Sequence, residues 1–109
     1  MRIYISGSIS GRAPEEYRAA FNEAAGIIRR AGHEAVNPVD VSGWGLTWGT
    51  YMQIAADVIN SGEVDAVYML EGWEASFGAC LERYFAVVKG IPVWYQARED
   101  GKKYGRRCG

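Results

Sequence analysis

The run Asp65-Ala66-Val67-Tyr68-Met69-Leu70 constrains the fold more than any other stretch of this chain. Strict alternation of apolar and polar residues marks a strand with one wet face. A short continuous apolar run bounded by glycines, here Gly62 and Gly72, marks a strand buried on both faces, as parallel strands are. Such a strand requires parallel neighbours joined by crossover helices.

The flanking segments supply both. Arg2 to Ser6 reads as a short buried strand ending in the turn Gly7-Ser8-Ile9-Ser10-Gly11. Pro14 opens a helix with Tyr17, Ala20, Phe21, Ala24, Ile27, Ile28 and Ala31 at helical spacing, and Gly32 stands where a left-handed cap belongs. His33 to Asn37 is a second strand, stopped by Pro38. A Gly/Trp-rich loop leads to Thr47, an N-cap for a helix carrying Tyr51, Ile54, Ala55, Val58 and Ile59 on one face. After strand 65–70 comes the loop Glu71 to Ala75, then a helix capped by Ser76 and reaching Lys89-Gly90, then the strand Ile91 to Tyr95. Strands alternating with helices predict an α/β fold, a small flavodoxin-like (Rossmann-like) parallel sheet of order 2-1-3-4 with helices on both faces. In such sheets ligands bind beyond the carboxyl ends of the strands, next to the switch point between strands one and three. That selects residues 7–12 and 71–82, with 37–48 bordering the same mouth.

At 109 residues the chain is expected to hold one domain over residues 1–96, followed by a basic tail over 97–109 that is expected to be flexible. Arg98, Lys102, Lys103, Arg106 and Arg107 crowd that tail. It reads as a solvated end or as an arm that contacts phosphate or a second subunit. A net charge of −1 argues against general nucleic-acid binding, so no specific nucleic acid is expected as partner. No apolar stretch approaches the ~18 residues of a membrane span, so no membrane association is expected. Residues 1–7 run into a strand rather than a signal peptide, and neither Cys80 nor Cys108 fits a disulfide or metal-ligand spacing. A cytoplasmic location, with no cofactor and no metal, is the resulting expectation.

The turn after the first strand is rich in backbone donors and hydroxyls and ends in Arg12. Before a helix, such a turn suits a phosphate, though a plain tight turn explains it equally. On the third helix, Phe77, Leu81, Tyr84, Phe85 and Val88 form the expected apolar face. Glu82 falls off it, on a stripe with Gly78, Ala79 and Ala86. The residues alone leave Glu82 open between a solvated helix-face carboxylate and a reactive one. Asp65 heads a buried strand and is expected to satisfy backbone donors. Asp57 lies off its helix's apolar face, where periodicity does not separate a solvated acid from a catalytic one. His33, the lone histidine, is expected at the sheet end away from the mouth. Trp44, Trp48 and Trp73 are expected in loops bordering the mouth, where they stack on a base, cover the loops or pack between subunits.

Tyr4-Ile5-Ser6-Gly7-Ser8-Ile9, then Asp57, Asp65 and Ser76-Phe77-Gly78-Ala79-Cys80-Leu81-Glu82, resemble the nucleoside 2-deoxyribosyltransferase superfamily. The likeness spans roughly residues 1–95 and is greatest to the 2'-deoxynucleoside 5'-monophosphate N-glycosidases and small bacterial and phage relatives. It implies that Glu82 is the nucleophile at the anomeric carbon, Asp57 the acid serving the departing base, and Tyr4 the residue that orients Glu82. The transferases carry an acid where Ser76 stands and the monophosphate hydrolases a serine. The resemblance therefore implies a 5'-phosphate held by Gly7, Ser8, Ile9, Ser10, Arg12, Ser76 and Gly78. Ser10 departs from the hydrolases, which carry an arginine there, so Arg12 or a tail arginine has to supply that charge.

The implied function is hydrolysis of the N-glycosidic bond of a (deoxy)nucleoside 5'-monophosphate. Its alternatives are a non-catalytic nucleotide-sequestering protein and a base-exchanging deoxyribosyltransferase. The expected partners are a nucleotide or nucleoside and a second copy of the chain, as a homodimer or higher homo-oligomer. The small-residue stripe Gly78, Ala79, Ala86 leaves room for a substrate or for a closely packed partner helix.

Overall fold

A computed structural model describes residues 1–8, 13–38 and 48–96 of the chain, without the side chains of residues 14 and 48–51. The elements are β1 (Arg2–Ser6), α1 (Pro14–Arg30), β2 (Glu34–Val36), α2 (Trp48–Asn60), β3 (Ala66–Met69), a 3₁₀ turn (Trp73–Ala75), α3 (Phe77–Lys89) and β4 (Val93–Tyr95). The four strands are all parallel, in the order β2-β1-β3-β4. This is the α/β sheet that the apolar run at 65–70 demanded.

Local chemistry sets the helix limits. Pro14 occupies the first turn of α1, where its missing N–H costs nothing. Glu15 and Glu16 face the positive end of the helix dipole, and Arg29 and Arg30 the negative end. The Ser76 hydroxyl accepts the Ala79 N–H at 3.2 Å, capping α3 as expected. Gly32 and Gly90 take φ of +90° and +80° just beyond α1 and α3, a conformation that side chains with a Cβ rarely adopt. The expected cap Thr47 lies outside the described residues.

The two sheet faces bury different partners. Ile3, Ile5, Ala66 and Leu70 pack with Phe21, Ala24, Ala25 and Ile28 of α1. On the other face Tyr4, Val67 and Met69 pack with Ala55 and Ile59 of α2 and with Ala79 and Ala86 of α3. Side chains alternate along a strand, so Tyr4 and Ser6 share the face turned to α3 while Ile3 and Ile5 point to α1. No helix among the described residues is long and apolar enough to cross a membrane.

Two expectations need correction. Of the apolar face assigned to α3, Phe77, Tyr84 and Val88 are exposed and Leu81 and Phe85 half-buried, whereas Gly78, Ala79, Glu82 and Ala86 are buried. The small-residue stripe is therefore the seat of α3 on its own sheet and is not open to a partner helix. Small side chains let a helix lie close to a sheet, and that close approach selected this face over the bulkier one.

Candidate active site

Glu82 sits in the middle of the buried face of α3, with Gly78 and Ala86 one turn to either side. These residues carry no bulk, so the helix settles close enough for the carboxylate to reach β1. Ser6 Oγ donates to Glu82 Oε1 at 2.6 Å, and the Tyr4 hydroxyl donates to Glu82 Oε2. Each carboxylate oxygen thus has its own hydroxyl, both from the same face of β1. Glu82 is 1% exposed, and Tyr4 and Ser6 are as deeply buried.

Burial penalises the charged form and pushes the Glu82 carboxyl up to about 7 from 4.5, while the hydrogen bonds from Ser6 and Tyr4 pull the other way. The group is therefore poised near neutrality, where it accepts or gives up a proton readily. The same shift links Glu82 to stability. The folded state holds the proton more tightly than the unfolded chain, so the contribution is full below pH 4.5 and is lost as pH rises through about 7. Glu82→Gln does not titrate. Its stability relative to wild type is expected to rise by about 3 kcal/mol between pH 4.5 and 8, read from urea unfolding at several pH values. A pH-independent difference would mean that the carboxyl is not shifted.

The other expected site residues divide into those placed and those not. Gly7 follows Ser6 at the mouth, where an added Cβ would meet Leu70 at 3.1 Å, so glycine there serves close packing first. Ser8 is half-buried beside it. Ser76 and the buried Gly78 stand at the amino end of α3, on the same side of the sheet as Glu82. Asp57 is exposed and accepts from Gln53 Nε2 at 3.0 Å, one helical turn away, whereas both oxygens of Glu82 are held by β1. Ile9, Ser10, Arg12 and Trp44 lie outside the described residues, as does the side chain of Trp48.

Trp73 lies in the 3₁₀ turn and is fully buried. Its ring centroid is 5.8 Å from that of Tyr95, and the Arg83 guanidinium lies 5.5 Å from it. No exposed ring face remains for a base, so the geometry carries core packing rather than stacking. Asp65 accepts the Arg2 backbone N–H at 2.7 Å, and His33 Nδ1 lies 3.2 Å from the terminal amine. Both stand at the sheet end opposite the mouth, as expected.

Ser6 is the residue that sequence reasoning missed as a site member. The signal was present in the period of the strand. Two residues after Tyr4, Ser6 must face the same way, so whatever Tyr4 orients Ser6 also touches.

A family model described as a domain of unknown function, DUF4406, matches residues 1–95. The chain belongs to this family. No curated protein and no solved structure matches the chain. Every residue of the Tyr4–Ser6–Glu82 cluster, and the cap at Ser76, falls inside the DUF4406 span. The cluster is thus part of the domain's own core.

Proposed function

We propose that this DUF4406 domain hydrolyses the N-glycosidic bond of a (deoxy)nucleoside 5'-monophosphate, releasing free base and sugar phosphate, with Glu82 as nucleophile. The observation that carries the reading is the buried Glu82 carboxyl, each oxygen held by a β1 hydroxyl and its proton affinity near neutral pH.

Breaking a C1'–N bond leaves positive charge on the anomeric carbon and ring oxygen. A carboxylate in a low-dielectric setting stabilises that charge, by field or by bonding. One Glu82 oxygen releases its hydroxyl partner and bonds C1' as the C1'–N bond breaks. The departing base takes a proton, which Asp57 supplies after exchanging Gln53 for the ligand. Water then attacks C1' as the bond from C1' to Glu82 breaks, and its proton returns to Asp57, which restores both side chains and gives the sugar phosphate. The capped amino end of α3, with Gly7 and Ser8, offers backbone donors and a favourable dipole to the 5'-phosphate.

Chromatography of the domain incubated with ribo- and deoxyribonucleoside 5'-monophosphates tests the reading, with base released from at least one of them. Calorimetry is expected to give a monophosphate about tenfold or more tighter binding than its nucleoside. Equal affinities would remove the phosphate assignment and favour the transferase, which a second added base would reveal by exchange. The nucleotide-sequestering alternative is supported by the 1% exposure of Glu82, whose oxygens are both satisfied within the chain. Tight nucleotide binding with no base released would decide for it.

A further inference from the structure

We propose that the site takes ribonucleoside rather than 2'-deoxyribonucleoside 5'-monophosphates, with Ser6 as the residue that receives the sugar's 2'-hydroxyl. The inference rests on the glycosidase reading and adds to it the identity of the sugar.

Tyr4 and Ser6 each hold one oxygen of Glu82, yet the two are not equivalent. The Tyr4 ring is packed in the core with Val67, Met69 and Ala79, so its hydroxyl leaves Oε2 only if that packing moves. The Ser6 hydroxyl turns about a single bond and leaves Oε1 with nothing else displaced. Oε1 is therefore the oxygen that bonds C1', and Tyr4 keeps Oε2.

Ser6 is also only half used. A serine oxygen donates one hydrogen bond and has two lone pairs with which to accept. Ser6 Oγ is fully buried and donates to Glu82 at 2.6 Å, but among the described residues no donor reaches it. Unused acceptor capacity in so enclosed a place calls for a donor brought by the ligand.

Stereochemistry names that donor. The base of a nucleotide leaves from the β face of the sugar, so Glu82 bonds C1' from the α face. Ribose carries its 2'-hydroxyl on that same α face, one carbon from C1', where deoxyribose carries only hydrogen. With C1' on Oε1, O2' lies about 3 Å from that oxygen, and Ser6 Oγ stands beside the same atom. Hydrogen bonds to a sugar's 2-hydroxyl strengthen in the transition state of glycoside hydrolysis. Tyr4 occupies Oε2, so Ser6 Oγ is the acceptor left for O2'–H.

The 2'-hydroxyl withdraws electrons from the anomeric centre and by itself slows the cleavage. A ribonucleotide turned over as fast as its deoxy counterpart therefore shows that the protein holds that hydroxyl in the transition state.

Base release is measured for paired ribo- and 2'-deoxyribonucleoside 5'-monophosphates of adenine, guanine, cytosine and uracil, with wild type and Ser6→Ala. Wild type is expected to give kcat/KM for a ribonucleotide at least equal to that for its deoxy counterpart. Ser6→Ala is expected to lower this ribo-to-deoxy ratio by about tenfold or more. The ratio separates recognition from a structural role. Both sugars meet the same free enzyme, so a change in Glu82 ionisation or in the folded fraction affects both alike and cancels. A deoxy preference in wild type, which needs no variant to fold, overturns the proposal and leaves the glycosidase reading standing. A ratio unchanged in Ser6→Ala does the same. No base from any of these nucleotides overturns the glycosidase reading itself, and the sugar assignment with it.

Discussion

Glu82→Gln is expected to lower base release by about 10³-fold or more in a protein that remains folded. Glutamine keeps the size of the side chain and still offers an oxygen to Tyr4 or Ser6, but it has no charge to place at an anomeric carbon. Alanine is the poorer probe. Glu82 is enclosed by the sheet and α3, so Glu82→Ala would leave a cavity and take the carboxylate away from two buried hydroxyls, a loss of about 2–4 kcal/mol that mixes folding with chemistry. The pH profile adds a readout that unfolding does not imitate. Turnover that needs the ionised carboxyl rises as pH passes through about 7. Ser6→Ala removes a donor that favours the charged form and so moves that limb to higher pH. Wild-type turnover in folded Glu82→Gln protein would exclude Glu82 as nucleophile.

Trp73→Ala is expected to cost about 3–5 kcal/mol, a large share of the roughly 5–15 kcal/mol that holds a domain of this size together. Trp73 is the largest fully buried side chain among the described residues, and it supports Tyr95 on one side and the Arg83 guanidinium on another. Trp73→Phe keeps a ring in place and is expected to cost markedly less. Urea unfolding of both variants is the measurement. Unchanged stability in Trp73→Ala would show that the ring does not belong to the core, and the stacking role would return.

The two α3 expectations failed together and for one reason. Helical periodicity reports which residues share a face, and α3 has two faces able to be buried: a bulky apolar one and a narrow one of glycine and alanines around Glu82. Hydrophobicity alone ranks the bulky face first. Contact with a sheet ranks them by fit as well, and the narrow face lets α3 approach β1 and β3 closely. Glu82 is carried inward by that choice. Its desolvation, which looks unfavourable in isolation, is offset in part by Tyr4 and Ser6, donors that a reading confined to the helix does not contain.

Strand and helix identity, the parallel sheet, its order, the cap at Ser76 and the left-handed glycines were determined by local sequence. Each follows from a property of a few adjacent residues: a continuous apolar run, a proline, a hydroxyl before a helix, a missing Cβ. The pairing of Tyr4 with Glu82 was legible only through resemblance, because 78 residues separate the two. Only the tertiary structure decided which face of α3 meets the sheet, that Ser6 completes the carboxylate's partners, and that Trp73 serves the core. Those outcomes depend on distances between elements remote in sequence, and the energies that set them, close packing and desolvation, exist only once the elements have met.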